Sequence, residues 1–183
     1  PNLSPGRYEL ILEPRSGDGR PAGQPTQLSE IRINNIDRLY ALPDDIPVQL
    51  DVLWEPLRLA GMAPAGLSAR PGEMAQLTLY WIKQATYGDV YSVFVHVVND
   101  AGDIVAQSDQ WPGGLPTDIL DEDQVVIDRL SLNVPTNLPA GRYPIRVGLY
   151  AAENGLRLPV IEGSTDSATD YVTLPVELVI TAP

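Results

Sequence analysis

Apolar and polar residues alternate along most of this chain in short runs broken by Pro, Gly, Asn and Asp. That is the pattern of half-buried strands joined by turns. The longest run is Tyr91–Val98, YSVFVHVV. Tyr91, Val93, Val95 and Val97 share one face, and Ser92, Phe94, His96 and Val98 the other. Apolar groups on both faces predict a central strand rather than an edge. Asn99–Asp103, NDAGD, supplies hairpin-turn chemistry, and Ile104–Ser108 runs back beside the first strand.

The same alternation predicts further strands at Tyr8–Leu12, Leu28–Ile33, Val48–Trp54, Met74–Ile82, Val125–Val134, Arg142–Tyr150 and Tyr171–Thr181. Leu57–Ala60 continues the third of these after Pro56, which interrupts a ladder. Ala63–Gly72, Thr86–Asp89 and Trp111–Thr117 carry turn residues. About eight strands after residue 46, spaced by turn signals, point to an antiparallel sandwich. In Leu138–Tyr143, LPAGRY, a turn with Gly141 delivers Tyr143 to the start of a strand. An immunoglobulin-like sandwich places its tyrosine corner there, the hydroxyl bonding back to the preceding loop. The predicted class is an all-β, antiparallel Greek-key β-sandwich, immunoglobulin-like.

The N-terminal stretch echoes this segment. Asn2–Tyr8, NLSPGRY, parallels Asn137–Tyr143, NLPAGRY, with five identities in seven positions. An alternating strand, a loop and a closing strand follow each. Residues 1–34 are therefore expected to be a partial repeat, a β-hairpin resembling the last two strands of a second copy. Residues 35–47 read as a linker and 48–183 as the sandwich. A lone hairpin is marginal in water, so the first is expected to dock on the main sheet or to pair with another chain.

Composition narrows the function classes. The 183 residues are 44% hydrophobic, with 18 Pro and 15 Gly and a net charge of −12. That charge argues against nucleic acid, whose binding rests on Lys and Arg neutralising phosphates. There is no Cys and one His, which removes thiolate chemistry and leaves little for zinc.

Candidate chemistry is thin. Asp118, Asp121 and Asp123 bring hard oxygen ligands together, the type calcium takes, without the EF-hand spacing. His96 lies mid-strand among valines, where a structural imidazole is expected rather than a triad member. Trp54, Trp111 and Tyr87 lie in or beside turns, where an exposed ring could stack on a sugar, while Trp81 aligns with the core face. No pattern selects a catalytic carboxylate pair, and no phosphate-binding glycine loop occurs.

Two segments carry a resemblance: Tyr91–Gly114, YSVFVHVVNDAGDIVAQSDQWPGG, and Leu138–Tyr150, LPAGRYPIRVGLY. In order with Arg70–Glu73 (RPGE) and Leu77–Trp81 (LTLYW), they resemble the C-terminal extracytoplasmic β-sandwich region of bacterial multi-spanning glycosyltransferases of the dolichyl-phosphate-mannose–protein mannosyltransferase-like type. The likeness spans residues 57–181. It implies a non-catalytic, extracytoplasmic accessory or interaction domain of a larger cell-envelope protein with a membrane-embedded parent chain. The family's catalytic acids lie in its membrane part and map onto no residue here. Expected partners are a protein or glycan at the cell envelope. A carbohydrate-binding module, in a calcium-dependent form or without metal, is the alternative. A hydrolase domain is the third reading.

Overall fold

The computed structural model describes residues 6–33, 37–85, 89–163 and 170–182. The chain divides into two compact units, Pro1–Arg38 and Leu39–Pro183.

In the first unit, β1 (Gly6–Leu12) and β2 (Thr26–Ile33) form an antiparallel two-stranded sheet. Arg7 and Glu30 pair at 3.1 Å on one face. Leu10, Leu12 and Ile31 are exposed.

The second unit is all-β, with strands in several sheets that stack as a β-sandwich. One sheet runs β3 (Val48–Leu53), β4 (Leu57–Ala63), β6 (Met74–Lys83) and β9 (Val125–Asn133). A second runs β12 (Val172–Thr173), β11 (Ile145–Ala151), β7 (Tyr91–Val98) and β8 (Ile104–Gln110). A third joins β10 (Gly141–Tyr143), β13 (Leu178–Ile180) and β5 (Leu67–Ala69). Leu39–Pro47, a linker by sequence, falls within this unit, and the Val125 N–H donates to the Leu39 carbonyl at 2.7 Å.

The core lies between the first two sheets. Leu77, Leu79 and Trp81 of β6 and Leu130 and Leu132 of β9 meet Val93, Val95 and Val97 of β7 and Ile145, Val147 and Leu149 of β11. Each such side chain contributes roughly 1.5–3 kcal/mol on burial. On β4, Leu59 and Met62 are both buried although three residues apart. The ladder with β6 slips between Leu59 and Gly61, and that bulge restores the inward parity. Gly61 is fixed by its surroundings, since a Cβ there would strike Ile46 and the Val48 carbonyl.

Strand β7 lies between β11 and β8, and all eight of its residues are buried. The turn after it closes on Asn99, whose side-chain oxygen accepts from the N–H groups of Ala101 (3.0 Å) and Asp103 (2.8 Å). The Tyr143 hydroxyl donates to the Pro139 carbonyl at 2.9 Å, the corner bond expected from the sequence. The equivalent loop before Tyr8 lies outside the described residues.

Four strand assignments differ from the sequence pattern. Leu57–Ala60, expected to continue the strand of Val48–Trp54, instead opens β4, which turns back antiparallel to β3. The strand expected at Arg142–Tyr150 is two pieces, β10 and β11, with Pro144 between them. The expected closing strand is two pieces, β12 on β11 and β13 on β10, with Pro175 between them. Leu67–Ala69, expected as turn, is a strand that runs parallel to β13. Three residues among Gly, Pro and Ser carry no readable period, and their partner is distant in the chain.

Candidate functional site

The outer face of the β12–β11–β7–β8 sheet gathers the aromatic and charged side chains that point away from the core. Register sets the layout. Phe94 stands opposite Gly148 of β11 and Asp109 of β8; His96 stands opposite Arg146 and Gln107; Ser92 stands opposite Tyr150. Phe94, His96, Asp109, Tyr150, Gly155 and Arg157 line a depression of about 210 Å³.

The loop after β11 supplies the roof. At Asn154–Gly155 the side-chain oxygen of Asn154 accepts from the Leu156 N–H at 2.9 Å, and Gly155 takes φ 72. That turn sends Arg157 back over the sheet, where it bridges to Tyr150. Its guanidinium carbon lies 4.4 Å from the centre of the Phe94 ring, and Nη1 pairs with Asp170 at 3.1 Å. A cation over a ring is favourable because the face of the π-system is negative. Arg146 lies similarly over Tyr171, at 4.7 Å.

His96 sits beside Phe94, with ring centres 4.6 Å apart. Its Nε2 is 3.9 Å from Asp109 Oδ1, outside hydrogen-bond range. Burial holds its pKa below the ordinary imidazole value. Asp109 opposes that shift, and Arg157 and Arg146 reinforce it. The imidazole is therefore neutral at pH 7. Arg157 presents donors, Asp109 acceptors and His96 either, around an aromatic floor. That set suits a small polar ligand, or one residue of a longer one. Larger depressions, of about 410 Å³ by Arg142 and Pro175 and about 450 Å³ by Asp51 and Arg58, have no aromatic lining, and one of about 420 Å³ by Asn99 and Arg142 is lined by the buried Tyr143.

Apart from His96, the described residues singled out from sequence fall elsewhere. Trp54 is fully buried, its ring centre 5.8 Å from that of Trp81, and this corrects the expectation of an exposed stacking face. Its backbone N–H donates to the Leu57 carbonyl at 3.0 Å, closing the Trp54–Leu57 turn. Trp111 is 44% exposed, just before a 3-10 turn over Pro112–Gly114. Tyr87 lies outside the described residues. Asp121 accepts from the Tyr40 hydroxyl at 2.6 Å, Asp123 adopts φ 60, and Asp118 acts electrostatically on buried Lys83. Among the described residues no three acid or imidazole side chains form a metal-holding group.

Asp128 of β9 is the other buried carboxylate of note. It accepts from Gln110 Nε2 at 2.5 Å and the Gly113 N–H at 2.9 Å, while Oδ2 has no hydrogen-bond partner within range among the described residues. Burial pushes its pKa above the usual carboxyl value, opposed by the Gly113 N–H, the Gln110 side chain and the Trp81 indole.

Sequence reasoning named His96 as structural and passed over Phe94, Asp109, Tyr150 and Arg157. The available signal was Phe94 and His96 on the face of β7 opposite the valines.

No family model and no curated protein matches the chain. Among solved structures it is similar to the C-terminal domain of wzt, at 10% identity and TM-score 0.47, over 72% of this chain and 78% of that one. It is also similar to a family 123 glycoside hydrolase from Clostridium perfringens, at 9% identity and TM-score 0.40, over 64% of this chain and 22% of that one. Likenesses this distant carry no argument about what the chain does.

Proposed function

We propose that this chain is a non-catalytic accessory domain that holds a sugar-containing ligand on the outer face of the β12–β11–β7–β8 sheet. The observation that carries the reading is the depression where Arg157, Asp109 and His96 surround the Phe94 floor. A sugar offers hydroxyls that both donate and accept, and the mixed rim matches that better than a purely anionic or cationic ligand. Arg157 already covers Phe94, so the ligand lies against Tyr150 and the rim rather than stacking on the phenyl ring.

A binding role is favoured over catalysis. Among the described residues no hydroxyl hydrogen-bonds to His96, and the Asp109 carboxylate lies too far to orient the imidazole. The finer context, an extracytoplasmic position in a larger cell-envelope protein with a membrane glycosyltransferase parent, rests on the strand motifs of Arg70–Glu73, Val93–His96 and Gly141–Tyr150.

The test is a glycan array followed by calorimetric titration of the best binder. Arg157→Ala and Asp109→Ala should each weaken binding by about tenfold or more, the scale of one lost charge-assisted hydrogen bond. No sugar bound, or affinity indifferent to both substitutions, overturns the reading and leaves a spacer or protein-contact domain.

A further inference from the structure

The first unit repeats the layout of the closing part of the sandwich. Shifted by 135 positions, Gly6–Tyr8 falls on Gly141–Tyr143. Gly6, Arg7 and Tyr8 pair with Ile33, Arg32 and Ile31; Gly141, Arg142 and Tyr143 pair with Ile180, Val179 and Leu178. The ladders then slip at the same place. From Tyr8 to Ile11 the partner strand advances from Ile31 to Gln27, and from Tyr143 to Arg146 it advances from Leu178 to Thr173. Both bulges lie on the closing strand.

The turns at the far end agree as well. The Ser16 N–H donates to Arg20 O at 2.8 Å, as Ala151 N–H does to Leu156 O at 2.9 Å. Ala22 N–H donates to Pro14 O at 2.8 Å, as Leu158 N–H does to Leu149 O at 2.9 Å. Asp18 accepts from the Arg20 N–H at 3.3 Å, as Asn154 does from Leu156 at 2.9 Å. Gly19 and Gly155 follow those residues with φ 81 and 72. On the opening strand sequence identity stops at Tyr8 and Tyr143, while on the closing strand Glu30 and Ile33 match Glu177 and Ile180, and the turn layout corresponds through Ala22. The slip is one residue in β1–β2 and two in the sandwich, and the β1–β2 turn is one residue shorter, so the two pairs share slip position and turn layout with small differences in length.

The faces correspond too. Tyr143, Ile145, Val147 and Leu178 are buried in the sandwich core. Their counterparts Leu10, Leu12 and Ile31 are 48%, 54% and 41% exposed, and Tyr8 is half-buried. The Arg7–Glu30 pair marks the opposite face, which carries Glu9 and the exposed Ile11 as well.

We infer that β1–β2 is the closing strand pair of a second sandwich of the same type, and that its Leu10–Leu12–Ile31 face docks on the rest of that sandwich. The occupant is the strand set that the repeat lacks, which the strand order of the complete unit puts upstream of β1. In the complete unit the strands that cover β10 and β13 come earlier in the chain, so the missing ones lie upstream of β1. A second copy of this chain offers no vacancy, because β10 and β13 already fill those positions. A segment of about 100–150 residues, one ordinary domain, is enough.

The test is amide hydrogen exchange on this 183-residue chain and on the natural chain extended upstream by one domain. Amides of Arg7–Leu12 and Gln27–Ile31 should exchange at least about tenfold more slowly in the longer chain. There, Leu10→Asp should lower the melting temperature of the upstream unit and leave that of 39–183 unchanged. Leu10→Ala should do the same more mildly if the aspartate variant does not fold. Unchanged exchange in the longer chain, or no upstream effect of either substitution, overturns the inference. So does concentration-dependent dimerisation of the 183-residue chain that Leu10→Asp abolishes, since the occupant is then a second copy.

Discussion

Gly148 faces Phe94 across the β7–β11 ladder, and the phenyl ring fills the volume a side chain at 148 would need. A Cβ there would also strike the Asp170 carbonyl. The ring can lie flat across β11 because that strand has no side chain at this point, and Arg157 can then cover it.

Gly148→Ala should therefore destabilise the sandwich by about 1–3 kcal/mol, the usual cost of overpacking, and weaken ligand binding by tilting the floor. Phe94→Leu should recover part of the stability in the double variant. Chemical denaturation of the four proteins in the cycle checks this, with a coupling energy expected between the two sites. Additive effects would mean that the contact is not the cause.

Asp128 gives a pH prediction. Its carboxyl is raised in the folded state, so the protonated form is favoured by folding. The stability this group contributes is fully present below the ordinary value of 3.8 and is lost as pH rises through the raised value. At pH 7 the buried charge is a cost. Asp128→Asn keeps an acceptor for Gly113 and removes that charge. It should raise the melting temperature at pH 7, with the gain shrinking as pH falls towards 4. A gain independent of pH would point to packing instead. His96 acts in another window: its lowered value means that stability present above 6.5 is lost as pH falls through the folded value.

The acidic loop answers to a direct measurement. Asp121 is engaged by Tyr40 and Asp118 faces Lys83 electrostatically. Millimolar calcium should leave the melting temperature unchanged, and chelator likewise. A rise with calcium would show a ligand binding the native state by mass action and would restore the calcium-dependent reading.

Much of the scaffold is legible in the sequence because a period of two is a local signal. Tyr91–Val98 announces a central strand, and the Gly141–Tyr143 turn announces the corner bond to Pro139. The site is not legible in the same way. It depends on register between β7 and β11, which sets Gly148 opposite Phe94, and on a turn that returns Arg157 over the sheet. Both relations join residues about fifty positions apart or more in the chain, and alternation has no range that long. Trp54 was misplaced for the opposite reason: a turn-flanking ring can face either way, and here it packs on Trp81.

The central claim is that ligand lands on the outer face of the β12–β11–β7–β8 sheet. Backbone amide NMR during titration with the tightest sugar from the array tests it most directly. The account predicts shift changes centred on Phe94, His96, Asp109, Tyr150 and Arg157, with the imidazole resonances of His96 moving in step. Changes confined to Trp111 and its turn, or saturation with no change at these five residues, would contradict it.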